Sequence, residues 1–217
     1  INVNAYTKAI GDVEIDMDKF DSEEIFNNRL YMPDKEAADR AEKLLDDKRA
    51  EGDSVGGVVE CVVSGMKAGV GEPVFEKLDA NLAKAIVSIG AVKAFEVGDG
   101  TKVAKAFGSG NNDDFIADDN GNITKMTNHA GGILGGISDG SDVLVRAYFK
   151  PTPSIFKEQK TVNKSGENIS INIKGRHDPI IVPRAVVVVE SMVALTVLDM
   201  LLISMTSDIV KIKKFFE

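Results

Sequence analysis

Val55-Gly56-Gly57-Val58-Val59-Glu60-Cys61-Val62-Val63-Ser64-Gly65, followed shortly by Val74-Phe75-Glu76-Lys77-Leu78-Asp79-Ala80-Asn81-Leu82, is the stretch from which the fold is read. The first run is rich in β-branched valine and bounded by glycine, which favours an extended strand. In the second, Val74, Phe75, Leu78, Leu82, Ile86 and Ile89 recur at helical spacing and mark one apolar stripe. A strand followed by a helix with one greasy face predicts a helix packed on a sheet.

Toward the amino terminus, Ile1-Asn2-Val3-Asn4-Ala5-Tyr6 alternates apolar and polar like a strand. Pro33-Asp34 reads as a helix start with Asp34 as N-cap, and Ala37, Ala38, Ala41, Leu44 and Leu45 keep helical spacing until Gly52 stops it. Toward the carboxy terminus, residues 91–97 read as a strand, and residues 98–140 hold ten of the 20 glycines with little periodicity, which predicts loops. Residues 142–150 alternate as a strand, residues 169–173 do so weakly, and a last long helix opens near Pro183. Strands and helices without regular alternation predict an α+β class. No repeat, low-complexity tract or linker divides the chain, so residues 1–217 read as one domain.

At 217 residues and 43% hydrophobic content, the chain can bury one sizeable core or two small ones. Its one cysteine, Cys61, allows no intrachain disulfide and predicts a reducing, cytoplasmic compartment. The net charge of -8 argues against a nucleic-acid partner. Sixteen acidic against seven basic residues fall in 12–60, whereas eight basic against four acidic fall in 141–184. An acidic body with one basic stretch suits a small anionic ligand held locally. The opening residues do not read as a signal peptide, and the start at Ile1 without an initiator Met suggests a piece of a longer polypeptide. Residues 185–205 form the one membrane-like run, but Glu190 and Asp199, nine residues apart, fall on opposite helix faces; a buried core helix is expected, with no membrane partner.

Two segments point to a site. Asn128-His129-Ala130-Gly131-Gly132-Ile133-Leu134-Gly135-Gly136-Ile137-Ser138-Asp139-Gly140 sets two glycine pairs four residues apart, as if bare backbone had to approach a ligand. Gly175-Arg176-His177-Asp178-Pro179 places a cation, an imidazole and a carboxylate side by side, which suits anion binding and proton transfer. Either alone reads better as a glycine-rich connector; together they favour a site. Lys150-Pro151-Thr152-Pro153-Ser154 ends a strand with a cation, two hydroxyls and two stiffening prolines, and could grip a phosphate or simply be a rigid turn. Arg176 and Arg184 could hold an anion or serve as surface ion-pair partners. His177 could carry a proton or orient its turn, and Asp178 could tune it or cap the loop. Dinucleotide and phosphate-loop fingerprints are incomplete, no nucleophile elbow occurs, and His129 and His177 lack companions at metal-ligand spacing, so no metal is expected.

These blocks, with Gly52-Asp53-Ser54-Val55-Gly56-Gly57, Gly69-Val70-Gly71-Glu72-Pro73-Val74-Phe75, Lys77-Leu78-Asp79-Ala80 and Ile89-Gly90-Ala91-Val92-Lys93, stand in the order of chorismate synthase, whose carboxy-terminal two-thirds the chain resembles. The resemblance implies antiparallel sheets packed with helices in a β-α-β sandwich, of which residues 1–217 are the carboxy-terminal portion. It implies a lyase that removes phosphate from 5-enolpyruvylshikimate 3-phosphate by 1,4-anti elimination to give chorismate, the last common step toward the aromatic amino acids. Reduced FMN would be the cofactor, NADPH a candidate reductant, and a homotetramer the assembly. It places flavin contacts on Gly90, Ala91, Gly135, Lys150, Pro151, Thr152, Pro153, Ser154 and Arg176. Arg176 would also lie near substrate, Asp178 would handle the proton on flavin N5, and His177 joins them as a candidate catalytic group. Gly90 stands where the family usually has Asn, Ala94 where it has Gly, and His129 where it often has Arg. The family's amino-terminal Gly-Glu-Ser-His-Gly and Arg-Ser-Ser blocks, and both of its acid-base histidines, are absent from these residues. The alternative is a catalytically silent module that keeps the FMN and phosphate pocket.

Overall fold

Asp34 starts the first long helix as its position suggests. Its Oδ1 accepts from Ala37 N at 3.1 Å and its Oδ2 from Asp16 N at 3.0 Å, so one side chain caps the helix and ties it to the preceding loop. Burial opposes the charge on Asp34, but the backbone N–H groups of Asp16, Ala37 and Glu36 outweigh it and hold the carboxyl below its ordinary range. The computed structural model describes residues 1–119, 121, 123–175, 178–207 and 209–217.

Along the chain these residues form β1 (Asn2–Ile10), β2 (Val13–Glu14), α1 (Lys35–Ala50), β3 (Gly57–Ser64), α2 (Leu78–Val87), β4 (Val92–Val97), α3 (Gly108–Asn111), β5 (Phe115–Ala117) and β6 (Ile123–Lys125). Then come β7 (Ile133–Leu134), β8 (Ile137–Ser138), β9 (Val143–Phe149), β10 (Gln159–Val162), β11 (Asn168–Ile171), α4 (Val182–Ser204) and α5 (Ile209–Phe216). The main sheet has the order β2-β1-β3-β9-β4, and three two-stranded hairpins, β5-β6, β7-β8 and β10-β11, stand apart from it. The predicted strand at 142–150 and helix at 35–50 appear with nearly the expected bounds. The stripe from Val74 divides into a 3-10 turn over Val74–Glu76 and α2, because Val74 takes a positive φ of 62° that breaks the helix before it begins.

Contacts divide the chain into two compact units, and the divisions fall inside β1, β3, β9 and α4. One unit comprises Ile1–Ala5, Glu60–Ala147 and Val187–Glu217. Its α2 packs on β4; of the predicted stripe Leu78, Leu82 and Ile86 are buried while Val74 and Phe75 are exposed, and Cys61, Val63, Val143, Val145 and Val189 are buried with them. The other unit comprises Tyr6–Val59 and Tyr148–Val186. There α1 packs on β2 and buries Ala37, Ala38, Ala41 and Leu45, while the buried Thr7 hydroxyl donates to Leu30 O.

Helix α4 departs from expectation. Val182, Ala185, Val186, Val189, Val193, Val197 and Met200 form a buried stripe, and Glu190 accepts from Ala5 N at 2.9 Å. Val187, Val188, Leu195, Leu198, Leu202 and Ile203, however, are exposed, so the core helix that the sequence predicts is buried on one side only. By length and composition alone the helix could cross a membrane. Its apolar surface goes all round, but these 217 residues cover only one side of it.

Candidate functional site

The glycine-rich loop is built from its two ends. Asn128 Oδ1 accepts from Gly132 N at 2.8 Å while its Nδ2 donates to Asp142 O at 2.8 Å. Strands β7 and β8 pair Ile133 with Ser138 and Leu134 with Ile137, leaving Gly135 (φ 63°) and Gly136 (φ 92°) as a two-residue turn that demands positive φ at both positions. Three of the four glycines are required by the chain itself. A Cβ at Gly131 would lie 2.4 Å from Gly98 N, at Gly132 2.5 Å from Asp142 O, and at Gly136 2.3 Å from Lys77 Cγ. Gly135 alone of the four has nothing within 4 Å of that position. The expectation that this whole block meets a ligand therefore narrows to one residue, Gly135.

Behind the loop lies a charge cluster that the sequence did not reveal. Asp113 accepts from His129 N at 2.7 Å, Thr127 Oγ1 at 2.7 Å and Ala130 N at 3.0 Å. Lys125 Nζ stands 3.7 Å from Asp113 and 2.5 Å from Asp139, with the three side chains only 4%, 4% and 7% exposed. Lys125 thus joins the entry of the loop to its exit. Burial opposes the charge on both aspartates. Ala130 N, Thr127, His129 N and Lys125 nonetheless hold Asp113 below its ordinary range, and Lys125 and Ser141 do the same for Asp139. Lys125 and Asp139 also line a cleft of about 600 Å³ with Phe115, Asn128 and Asp142. His129 Nδ1 lies 2.7 Å from Asp99 Oδ2. Asp99 and Asp113 sit far from the glycine block in sequence, and no spacing rule could have joined them to it.

Gly90 and Ala91 lie in the same unit as Gly135, at the turn into β4. Ala91 adopts φ 72°, a strained conformation for a residue with a Cβ, and Gly90 has open space around its own.

The remaining predicted residues lie in the other unit. Lys150 leaves β9 exposed, and the turn after it is pinned by Ser54 Oγ donating to Thr152 O at 2.7 Å and Gln159 Nε2 donating to Pro153 O at 2.9 Å. The Thr152 hydroxyl oxygen is buried yet has no hydrogen-bond partner among the described residues, an orphan that asks for a ligand. Ser154 and Asp178 line one small recess with Arg49, Gly52, Asp53 and Phe156, so these two predicted residues are brought together. Lys157, through its hydrogen bond at 2.6 Å, and Ser54 N hold the neighbouring Asp53 carboxyl below its usual range. Arg184 Nη2 lies 2.8 Å from Asp178 Oδ2, which makes Arg184 an ion-pair partner, one of its two expected readings. Arg176 and His177 lie outside the described residues. The described candidates therefore form two sets: Gly90, Ala91 and Gly135 in one unit, and Lys150 to Ser154 with Asp178 in the other.

A model of the chorismate synthase family matches residues 1–202. Chorismate synthase of Lachnoclostridium phytofermentans is 60% identical over 217 residues, 100% of this chain and 59% of that protein. The protein of the same name from Lachnospira eligens is 58% identical over 216 residues, again 100% and 59%, and that from Gloeothece citriformis 47% identical over 204 residues, 93% and 56%. A crystal structure of chorismate synthase superposes with a TM-score of 0.77 at 26% identity, covering 94% of this chain and 58% of the other. The chain thus spans about 59% of the length of these first two curated relatives. With the α+β arrangement matching a solved member and the family's blocks running in order along the chain, these 217 residues belong to the chorismate synthase family.

Proposed function

We propose that these residues form part of a chorismate synthase that converts 5-enolpyruvylshikimate 3-phosphate to chorismate by eliminating phosphate and a ring proton. The observation that carries this reading is the buried Thr152 hydroxyl oxygen without a partner, in a turn fixed by Ser54 and Gln159, with Ser154 sharing a recess with Asp178. An orphan acceptor and donor in a rigid turn beside a lysine fits a phosphate-bearing ligand. The residues of this turn therefore fit the phosphate end of FMN, and contacts of Gly135 with the flavin rest on the resemblance. Bound reduced FMN would supply the electron-rich flavin that the elimination requires although the reaction has no net oxidation.

Lys150, Thr152 and Ser154 would hold the cofactor's phosphate end with one charge and two hydroxyls on a prearranged backbone, which limits the ordering cost of binding. Gly90 and Ala91 would offer backbone to the flavin. Asp178 would accept a proton, its carboxylate aimed by Arg184. Arg176 and His177 are assigned to the anionic substrate on the resemblance alone. On the same basis we assign NADPH as reductant, a homotetramer as assembly and the cytoplasm as location to the full-length enzyme.

The test is an anaerobic assay of chorismate release, with reduced FMN and substrate, by a chain of the relatives' full length that carries these 217 residues. Turnover supports the reading; a folded, FMN-loaded chain without turnover would overturn it.

A further inference from the structure

We infer that Arg184 is a positioning residue, acting on the reaction through Asp178; the inference rests on the function proposed above. Asp178 is half exposed, and a free carboxylate there would sample several rotamers. Its flanks are fixed: Pro179 O accepts from Val55 N at 2.8 Å, Ile180 and Val182 are buried, and Arg184 N donates to Ile181 O at 3.0 Å as α4 begins. From that first turn the guanidinium reaches back to Asp178 Oδ2 at 2.8 Å.

The other charged groups around the recesses that Asp178 lines are engaged elsewhere. Arg49 pairs with Asp46 at 2.7 Å, Arg29 with Glu42 at 2.9 Å, and Asp53 with Lys157 at 2.6 Å. Among the described residues Arg184 is the cation paired with Asp178. The second carboxylate oxygen makes no described hydrogen bond, on a residue that shares a recess with Ser154. One oxygen paired with Arg184 and a second without a hydrogen bond among the described residues is what a proton acceptor needs: a fixed plane and an unencumbered lone pair. Arg184 is 74% exposed at its side chain, so the pair contributes little to stability, and its consequence is orientation.

Two measurements test this. In the 217-residue chain, the Arg184 guanidinium should show slowed rotation in ¹⁵N–¹H spectra, lost on Asp178→Ala; free rotation in the unsubstituted chain would overturn the pairing. In the full-length chain, Arg184→Ala should lower kcat roughly ten- to hundredfold, as a misaimed group does. FMN affinity should change less than about twofold, Arg184→Lys should recover part of the rate, and adding Arg184→Ala to Asp178→Ala should cost nothing further. Additive losses, or an active parent whose Arg184→Ala variant keeps its kcat, would overturn this role alone. A parent without lyase activity would overturn the proposed function and this role with it.

Discussion

Replacing Lys125 by Met keeps the stem of the side chain and removes the charge that joins Asp113 to Asp139. All three side chains are at most 7% exposed, so two carboxylates would be left nearly dry without their cation. Breaking a buried pair by removing one partner costs about 3–5 kcal/mol. An independent bound comes from the escape route, in which one aspartate takes up a proton: at about 1.36 kcal/mol per unit over roughly three units between its ordinary pKa and neutrality, that costs about 4 kcal/mol at pH 7. The two figures agree. They also fix a sign. Asp113 and Asp139 lie below their ordinary range, so the unsubstituted chain holds their contribution above the ordinary carboxylate pKa and loses it as pH falls through the lowered values. In Lys125→Met the protonated aspartate has a raised pKa, so that variant gains relative stability as pH falls. The gap between the two should therefore narrow from about 3–4 kcal/mol at pH 7 to about 1–2 kcal/mol near pH 5. Urea unfolding followed by circular dichroism at both pH values measures it. A gap below about 1 kcal/mol at pH 7, or one that does not narrow, would refute the buried-triad reasoning.

Further tests separate the site from its scaffold. Gly132→Ala should lower the unfolding midpoint clearly, because its Cβ meets Asp142 O at 2.5 Å, whereas Gly135→Ala should cost only the strain of a positive φ and act chiefly on flavin affinity; equal effects on stability would merge their roles. Lys150→Ala in the full-length chain should weaken FMN binding by about 1.5–3 kcal/mol, read by flavin fluorescence titration. Asp178→Asn should slow the chemical step with FMN still bound, and loss of FMN instead would make Asp178 a loop-organising residue. The isolated 217 residues should associate with rising concentration in light scattering, driven by the exposed face of α4 from Val187 to Ile203; a monodisperse chain would show that face to be harmless.

What the sequence disclosed was local. Asp34 as a cap, the valine run of β3, the stripe of α2 and the alternation of β9 each rest on residues a few positions apart, where propensity and period act directly. β10 was missed because Gln159-Lys160-Thr161-Val162 is too polar to announce a strand without its partner β11. The glycine block drew notice for a mixed reason: only contacts with Gly98, Asp142 and Lys77 reveal that three of its glycines serve packing. Asp113 and Lys125 carried no readable signal, since a charged residue looks like solvated surface until the fold brings a counter-charge to it; Arg184 was legible as an anion holder or an ion-pair partner, and only the fold names Asp178 as the partner. The exposed side of α4 was invisible for the opposite reason: an all-round apolar helix looks buried, and sequence does not say by which residues.

Cys61 has a practical corollary. The thiol sits fully buried on β3, and burial together with the nearby negative charges of Glu190 and Glu60 pushes its pKa up, so in the closed strand it is neither reachable nor nucleophilic. Being the one cysteine in the chain, it acts as a built-in clock: a thiol-reactive dye in native buffer will label at the rate at which β3 parts from its neighbours, timing the opening of the sheet from a single atom.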